Sequence, residues 1–173
     1  MLIVFAGLSG TGKTTLSRDL ARRLSATYLR IDTVEQAAMR AVPGSTPGVA
    51  GYVIALSIAA DNLLLGSTVV ADSVNPLSIT RDSWMEVAEV TGVPLLEVEI
   101  LCSDLAEHRR RVETRAADIP GQRVPTWDEI ADRVYEPWSR ERIVVDTAGR
   151  SEQQSLDEIL EKMAALMLVP AGA

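Results

Sequence analysis

Residues 7–14 read Gly7-Leu8-Ser9-Gly10-Thr11-Gly12-Lys13-Thr14, which matches the pattern G-x-x-x-x-G-K-[ST] at every fixed position. Glycines allow the backbone to form a concave nest whose N–H groups point at phosphate oxygens, and Lys13 adds a compact positive charge. The Thr14 hydroxyl is a hard oxygen ligand that suits Mg²⁺. The stretch therefore predicts a site for ATP with Mg²⁺, contacted by Gly7, Ser9, Gly10, Thr11, Gly12, Lys13, Thr14 and Thr15.

The sequence on either side of this loop supports the same interpretation. Residues 1–6 are a continuous apolar run, as in a parallel strand buried on both faces. After the loop, Leu16, Leu20, Ala21 and Leu24 recur at helical spacing. A Gly-rich turn without a ligand is the alternative, but strand, loop and helix in this order favour a phosphate site.

Length and composition indicate one soluble domain over residues 1–173. The chain is 47% hydrophobic and 24% charged, as in ordinary globular proteins. A single cysteine, Cys102, excludes an internal disulfide framework and, with no basic leader, favours a cytoplasmic protein. No apolar run is long enough to cross a membrane. A formal net charge of −7 disfavours nucleic acid as a partner, and the chain is expected to be a monomer or homodimer.

Short apolar runs alternate with helical patterns along the whole chain. Five strands are expected, each followed by a helix, so the fold class is α/β, a parallel sheet with helices on both faces. The strands are predicted at residues 1–6, 28–31, 68–71, 95–101 and 142–145. The main helices are predicted to start near residue 33 and to span about 49–65, 82–90, 104–117, 126–135 and 151–168, with a loop over 43–48.

Aspartates follow three of these strands, at the sheet edge where parallel sheets bind ligands. Asp32 is a candidate base for an acceptor hydroxyl, and the alternative is that it caps the next helix. Asp72 is a candidate metal ligand together with Thr14. Asp146 is interpreted as a turn former that shapes an adenine loop, in which Thr147 and Gly149 offer backbone contacts.

Arginines cluster on the helix predicted over residues 104–117 and in the loop after it. Residues 109–127, called the lid segment below, are expected to close over the γ-phosphate, with Arg115 and Arg123 as catalytic candidates and Arg111 at the nucleotide. A solvated helix face is the alternative for most of these arginines. Arg81 is expected either to clamp an anionic substrate or to form a local ion pair. His108 is expected at the surface and Cys102 in the core.

The chain resembles small P-loop kinases of the group that contains gluconate kinase, shikimate kinase, chloramphenicol phosphotransferase and the kinase half of polynucleotide kinases, which bind ATP through an AAA-type site. The resemblance is carried by residues 7–14, 30–33, 71–75, 113–115 and 146–149. It implies a P-loop NTPase three-layer sandwich with a five-stranded sheet in the order 2-3-1-4-5, an arginine-bearing lid, and Asp32 as the base. No acceptor signature occurs in residues 40–66, and the lid segment has no cysteines that could bind zinc.

The leading hypothesis is an ATP- and Mg²⁺-dependent kinase that phosphorylates a hydroxyl of a small molecule. A nucleoside or polynucleotide 5′-hydroxyl kinase is a second reading, which the net charge of −7 disfavours. A regulatory ATP-binding switch protein is a third.

Overall fold

The structure, a computed structural model, describes residues 1–42, 44 and 48–168. The loop expected over residues 43–48 lies largely outside these residues. Strands and helices alternate as the sequence predicts. The strands are Leu2–Ala6 (β1), Thr27–Arg30 (β2), Val69–Asp72 (β3), Leu95–Leu101 (β4) and Ile143–Asp146 (β5). The helices are Lys13–Leu24 (α1), Ile31–Ala41 (α2), Ala50–Leu64 (α3), Ser78–Thr91 (α4), Leu105–Thr114 (α5), Trp127–Ala131 (α6) and Glu152–Leu168 (α7).

The five strands form one parallel sheet in the order β2-β3-β1-β4-β5, which confirms the predicted architecture. Asp72 of β3 pairs in register with Phe5 of β1 on one side and with Arg30 of β2 on the other. The carboxyl ends of these three strands therefore lie side by side. The loops that leave them start from one edge of the sheet.

The core has one layer on each face of the sheet. All five residues of β1 are buried, and they alternate between the two layers because successive strand residues point to opposite faces. Ile3 and Phe5 pack with residues of α1 and α7, while Leu2 and Val4 pack with residues of α3 and α4. Within the described part of the chain, every helix is too short or too polar to span a bilayer.

Four helices differ from their expected bounds by two residues or more. Helix α5 ends at Thr114 rather than near Ala117, so Arg115 lies just beyond it in an extended conformation. Helix α2 begins at Ile31 rather than at Thr33, so Asp32 lies in its first turn and no side chain caps it. Helix α4 begins at Ser78, four residues earlier than expected, because the Glu136 carboxylate accepts a hydrogen bond from the Ser78 N–H. Helix α6 ends at Ala131 and not near Tyr135.

Candidate active site

The backbone of the phosphate loop has positive φ angles at its glycines, as the sequence suggests. Gly7, Gly10 and Gly12 have φ angles of 137°, 88° and 93°, a region that side chains disfavour. A Cβ on Gly7 would lie 2.3 Å from the Ile100 carbonyl oxygen, and one on Gly10 would lie 2.5 Å from Val112 Cγ2. Glycine is therefore favoured at Gly7 and Gly10 by both conformation and space, and at Gly12 by conformation alone.

Several N–H groups of the loop are available to an anion. Among the hydrogen bonds of the described residues, none uses the N–H of Gly10, Gly12, Lys13 or Thr14 as a donor. These groups precede or open α1, whose dipole places partial positive charge at the same point. The arrangement can bind phosphate oxygens without first breaking internal hydrogen bonds.

Lys13 and Asp72 form a buried ion pair beneath the loop. Lys13 Nζ lies 2.6 Å from Asp72 Oδ1, and the two side chains are 9% and 1% exposed. The Tyr28 hydroxyl donates to Asp72 Oδ2 at 2.7 Å. Burial raises the pKa of the Asp72 carboxyl, but the Lys13 charge and hydrogen bonds from Lys13, Tyr28 and Thr14 outweigh burial, so this pKa lies below its ordinary value. Asp72 is therefore a carboxylate at neutral pH.

Tyr28 is a part of this cluster that the sequence reading missed. Burial and the neighbouring Asp72 carboxylate raise the pKa of the Tyr28 hydroxyl, which keeps it protonated as a donor. A tyrosine at the start of a short predicted strand is indistinguishable from a packing residue. Its role becomes visible only when β2 and β3 are paired.

A cavity of about 270 Å³ opens above the phosphate loop. Most of the residues expected from the sequence to contact ATP or to act in catalysis meet here: Ser9, Gly10, Gly12, Lys13, Thr14, Thr15, Asp32, Arg111 and Arg115. The cavity is also lined by Arg18, Arg30 and Asp118, which the sequence reading did not single out.

Arg30 connects the two sides of this cavity. Its Nη1 and Nη2 atoms donate to both carboxylate oxygens of Asp118, at 2.6 and 3.0 Å, and Nη2 lies 3.5 Å from Asp32 Oδ2. Arg18 donates to Asp118 from α1 at 3.1 Å. Hydrogen bonds from Arg30 hold the pKa of the Asp118 carboxyl well below its ordinary value. Asp32, the candidate base, thus lies beside a fixed guanidinium.

A second cavity, of about 390 Å³, adjoins the first through Gly12, Thr15 and Arg111. Thr147 lines it, and its hydroxyl donates to the Thr11 carbonyl oxygen at 2.8 Å. Arg111 donates to the Thr147 hydroxyl and carbonyl, at 2.8 and 3.0 Å. This cavity has the place expected for the base of a nucleotide whose phosphates occupy the first.

Asp146 has the geometry of a turn former. Its carboxylate accepts from the N–H groups of Ser103 and Ala148, at 3.0 and 3.1 Å, and from the Ser103 hydroxyl. The N–H of Gly149 donates to the Glu107 carboxylate at 2.8 Å, so α5 and the loop after β5 hold each other.

Arg81 and Arg123, which were expected at the site, line neither of the two cavities. Arg81 is 2% exposed, and its guanidinium donates to the carbonyl oxygens of four residues, namely Asn75, Pro76, Glu136 and Pro137. It also lies over the Trp138 ring, 4.2 Å from the ring centroid. Arg123 is 70% exposed and pairs with Glu129 of α6. Arg81 therefore links α4 to residues 135–138.

His108 is buried and does not lie at the surface as expected. It is 5% exposed, and its Nε2 lies 2.8 Å from the Ser9 carbonyl oxygen. Its ring packs against Trp127 edge to face. The charged neighbours of His108 in the sequence suggested exposure, but only Arg109 and Arg110, which are 59% and 69% exposed, face solvent. Cys102 is buried, as predicted.

The residues present fit a magnesium ion. Thr14 and Asp72 supply hard oxygen donors close to Lys13, and Mg²⁺ prefers such ligands together with phosphate oxygens and water. Among the described residues, no group of three or more His, Cys, Asp or Glu side chains could hold a metal by itself. A metal at this point would therefore depend on the nucleotide for most of its ligands.

Comparison with known proteins agrees with this geometry. The family model of an AAA domain matches residues 2–137, most of the chain. The chain belongs to this AAA domain family. A search of curated proteins gave no match.

Solved structures share the fold of this AAA domain over nearly its whole length. A gluconokinase from Sinorhizobium meliloti is 19% identical, with a TM-score of 0.65 over 95% of this chain and 91% of that one. The APS kinase CysC of Mycobacterium tuberculosis, in complex with AMPPNP and APS, is 19% identical, with a TM-score of 0.65 over 94% and 96%. Kti12 of Chaetomium thermophilum, in complex with ADP-AlF3, is 22% identical, with a TM-score of 0.67 over 93% and 98%. The fold is therefore that of P-loop kinases and their relatives.

Proposed function

We propose that this protein is a phosphotransferase that moves the γ-phosphoryl group of ATP to a hydroxyl of a small molecule. One observation carries the proposal: a phosphate loop with unpaired N–H groups and Lys13 shares a cavity with Asp32 and several arginines. Phosphoryl transfer needs few other parts, because catalysis consists of positioning and electrostatic stabilisation. The fold, which is shared with a gluconokinase and an APS kinase, supports the same reaction class.

The nucleotide would lie across the two adjoining cavities. The loop N–H groups and Lys13 would bind the β- and γ-phosphates, and Thr147 with Arg111 would border the base. Lys13 pairs with Asp72, so phosphate binding would exchange one anionic partner of this lysine for another. Thr14 and Asp72 would then hold Mg²⁺, which supplies positive charge to the phosphates.

Asp32 would act on the acceptor. Its carboxylate is 38% exposed and lines the phosphate cavity, where an incoming hydroxyl could reach it. The acceptor oxygen forms a bond to the γ-phosphorus, the bond from that phosphorus to the bridging oxygen of ADP breaks, and the hydroxyl proton passes to Asp32. Arg115 would stabilise the charge on the transferring group from the wall of the cavity.

The test is phosphoryl transfer by the Asp32→Asn variant. We expect transfer to fall by about 10² to 10⁴, since a general base contributes about that factor. Affinity for the ATP analogue AMPPNP should change little. Transfer is measured as a mass shift in a pool of hydroxylated metabolites, and Asp19→Asn, a change at a surface ion pair of α1, is the matched control. Full transfer by Asp32→Asn would remove Asp32 as the base, and ATP binding without transfer to any hydroxyl compound would overturn the kinase proposal.

A further inference from the structure

Arg30 and Arg18 together form a receptor for a carboxylate, and a carboxylate of the protein itself occupies it. Arg30 binds Asp118 through two parallel hydrogen bonds, at 2.6 and 3.0 Å, and Arg18 adds a third at 3.1 Å. Paired contacts of this kind match the two oxygens of a carboxylate and are among the stronger polar interactions in proteins.

The two halves of this interaction differ in how firmly they are held. Arg30 ends a strand of the sheet, its side chain is 5% exposed, and its Nε lies 4.0 Å from Asp72. Asp118 is 43% exposed and belongs to a stretch, residues 115–126, that contains neither helix nor strand. The arginine is therefore the fixed partner and the aspartate is the one that can move away.

The Arg30–Asp118 pair also separates two cavities. Arg18, Arg30 and Asp118 line both the phosphate cavity and an outer cavity of about 500 Å³. Arg40 lines the outer cavity as well, so three arginines face one carboxylate there. The whole chain carries a net charge of −7, which makes this local excess of positive charge a distinct feature. Movement of Asp118 would join the two cavities and leave Arg30 and Arg18 without an anion.

We propose that the acceptor is a hydroxy acid whose carboxylate takes the place of the Asp118 carboxylate on Arg30 and Arg18. The inference rests on the proposed phosphotransferase function and names its substrate class. Arg30 Nη2 lies 3.0 Å from Asp118 and 3.5 Å from Asp32, so an acid bound at this nitrogen has its nearby hydroxyl beside the base. Arg30 and Arg18 thus determine specificity, and Asp118 competes with the substrate.

The experiment measures transfer from Mg·ATP to a panel of hydroxy acids, each paired with its primary amide, which keeps the hydroxyl and removes the charge. Hydroxy sulfonates and phosphomonoesters form a further arm that distinguishes carboxylate from other anions. The chain is compared with Asp118→Ala, Arg18→Gln and the matched control Arg22→Gln, an arginine 69% exposed on the same helix. Circular dichroism and AMPPNP affinity verify that each variant is folded.

We expect transfer to at least one acid and none to its amide. Asp118→Ala should lower the KM for that acid by roughly fivefold, because a half-exposed competing ion pair is removed. Arg18→Gln should raise this KM by about tenfold, because a charged hydrogen bond to the acid is lost, and Arg22→Gln should leave it unchanged.

Equal transfer to acids and amides, or preference for the other anions, would overturn the inference and leave the kinase proposal standing. A large fall in kcat for Asp118→Ala, with KM unchanged, would show that Asp118 stays in place and would also overturn it. Transfer to no compound of either charge would overturn both proposals.

Discussion

The phosphate loop and the lid segment line the same cavity, yet they are held in place by different means. The loop is fixed by backbone conformation and by an ion pair whose side chains are 9% and 1% exposed. The lid segment is tied by ion pairs whose carboxylates, Asp118 and Glu129, are 43% and 42% exposed. The Arg123–Glu129 pair, exposed on both sides, contributes about 0–1 kcal/mol, and solvent also reaches the carboxylate of the Arg30–Asp118 pair. The donor side of the site is therefore held more firmly than the facing side.

The largest effect is expected from Lys13→Met. Turnover should fall by about 10² to 10³ or more, because a preorganised charge on the phosphates is lost. The free energy of unfolding should fall by about 3 kcal/mol, because Asp72 is left buried without its cation. ADP formation and urea denaturation measure the two effects.

The double variant Lys13→Met/Asp72→Asn is the control for this interpretation. It should regain most of the lost stability and none of the activity. If Lys13→Met alone is as stable as the unmodified chain, then the buried pair does not hold the loop, and the contrast with the lid segment fails.

A smaller effect is expected from Gly7→Ala, with Gly66→Ala as its matched control. Both glycines have positive φ, but a Cβ at Gly66 meets nothing within 4 Å, while one at Gly7 meets the Ile100 carbonyl. We expect Gly66→Ala to cost about 1 kcal/mol and Gly7→Ala about 2 kcal/mol more, with loss of nucleotide affinity. Thermal unfolding with and without AMPPNP measures both, and equal costs would show that the loop tolerates a side chain.

Within the lid segment, Arg115→Gln should reduce kcat by about tenfold and Arg123→Gln by less than about twofold. Arg115 lines the phosphate cavity, whereas Arg123 is 70% exposed and engaged with Glu129. Steady-state kinetics compares them. A larger effect at Arg123 would mean that this arginine leaves Glu129 and reaches the phosphates when ligand is bound.

The smallest effect concerns pH. The pKa of Asp118 in the folded chain lies below its ordinary value of 3.8, so its ion pair stabilises the fold above that pH and is lost on acidification. Between about pH 6 and pH 3, the unmodified chain should therefore lose more stability than Asp118→Asn. The difference should stay below about 1 kcal/mol because the pair is partly exposed. Identical pH dependence in urea denaturation would show that the pair does not form in solution.

The sequence predicted the features that depend on local patterns and not those that depend on residues distant in sequence. Strand positions, their order and the phosphate loop follow from local patterns, namely apolar runs, helical periodicity and a contiguous motif. The early start of α4 could not be foreseen, because the carboxylate that supports it comes from Glu136, 58 residues away. The structure brings Asp32 and Arg115 to the phosphate cavity, as their expected roles require.

The residues that escaped the sequence reading are those whose partners are distant in sequence. Arg30 and Asp118 are 88 residues apart, and no local pattern in the sequence pairs them. Tyr28 and His108 gained their roles from contacts with Asp72 and Ser9, which exist only once strands and helices are packed. Sequence patterns indicate which face of a helix or strand is apolar, but they do not indicate which polar groups meet across the cavity.

The ion pair between Lys13 and Asp72 has a consequence for the end of the reaction cycle. A lysine that already has an anion beside it gains little interaction energy when a phosphate binds, since one charge contact replaces another. For the same reason, Lys13 releases that phosphate easily, because Asp72 can pair with the lysine again. We therefore expect ADP to leave quickly, so that affinity for nucleotide is moderate and the enzyme is freed for the next turnover.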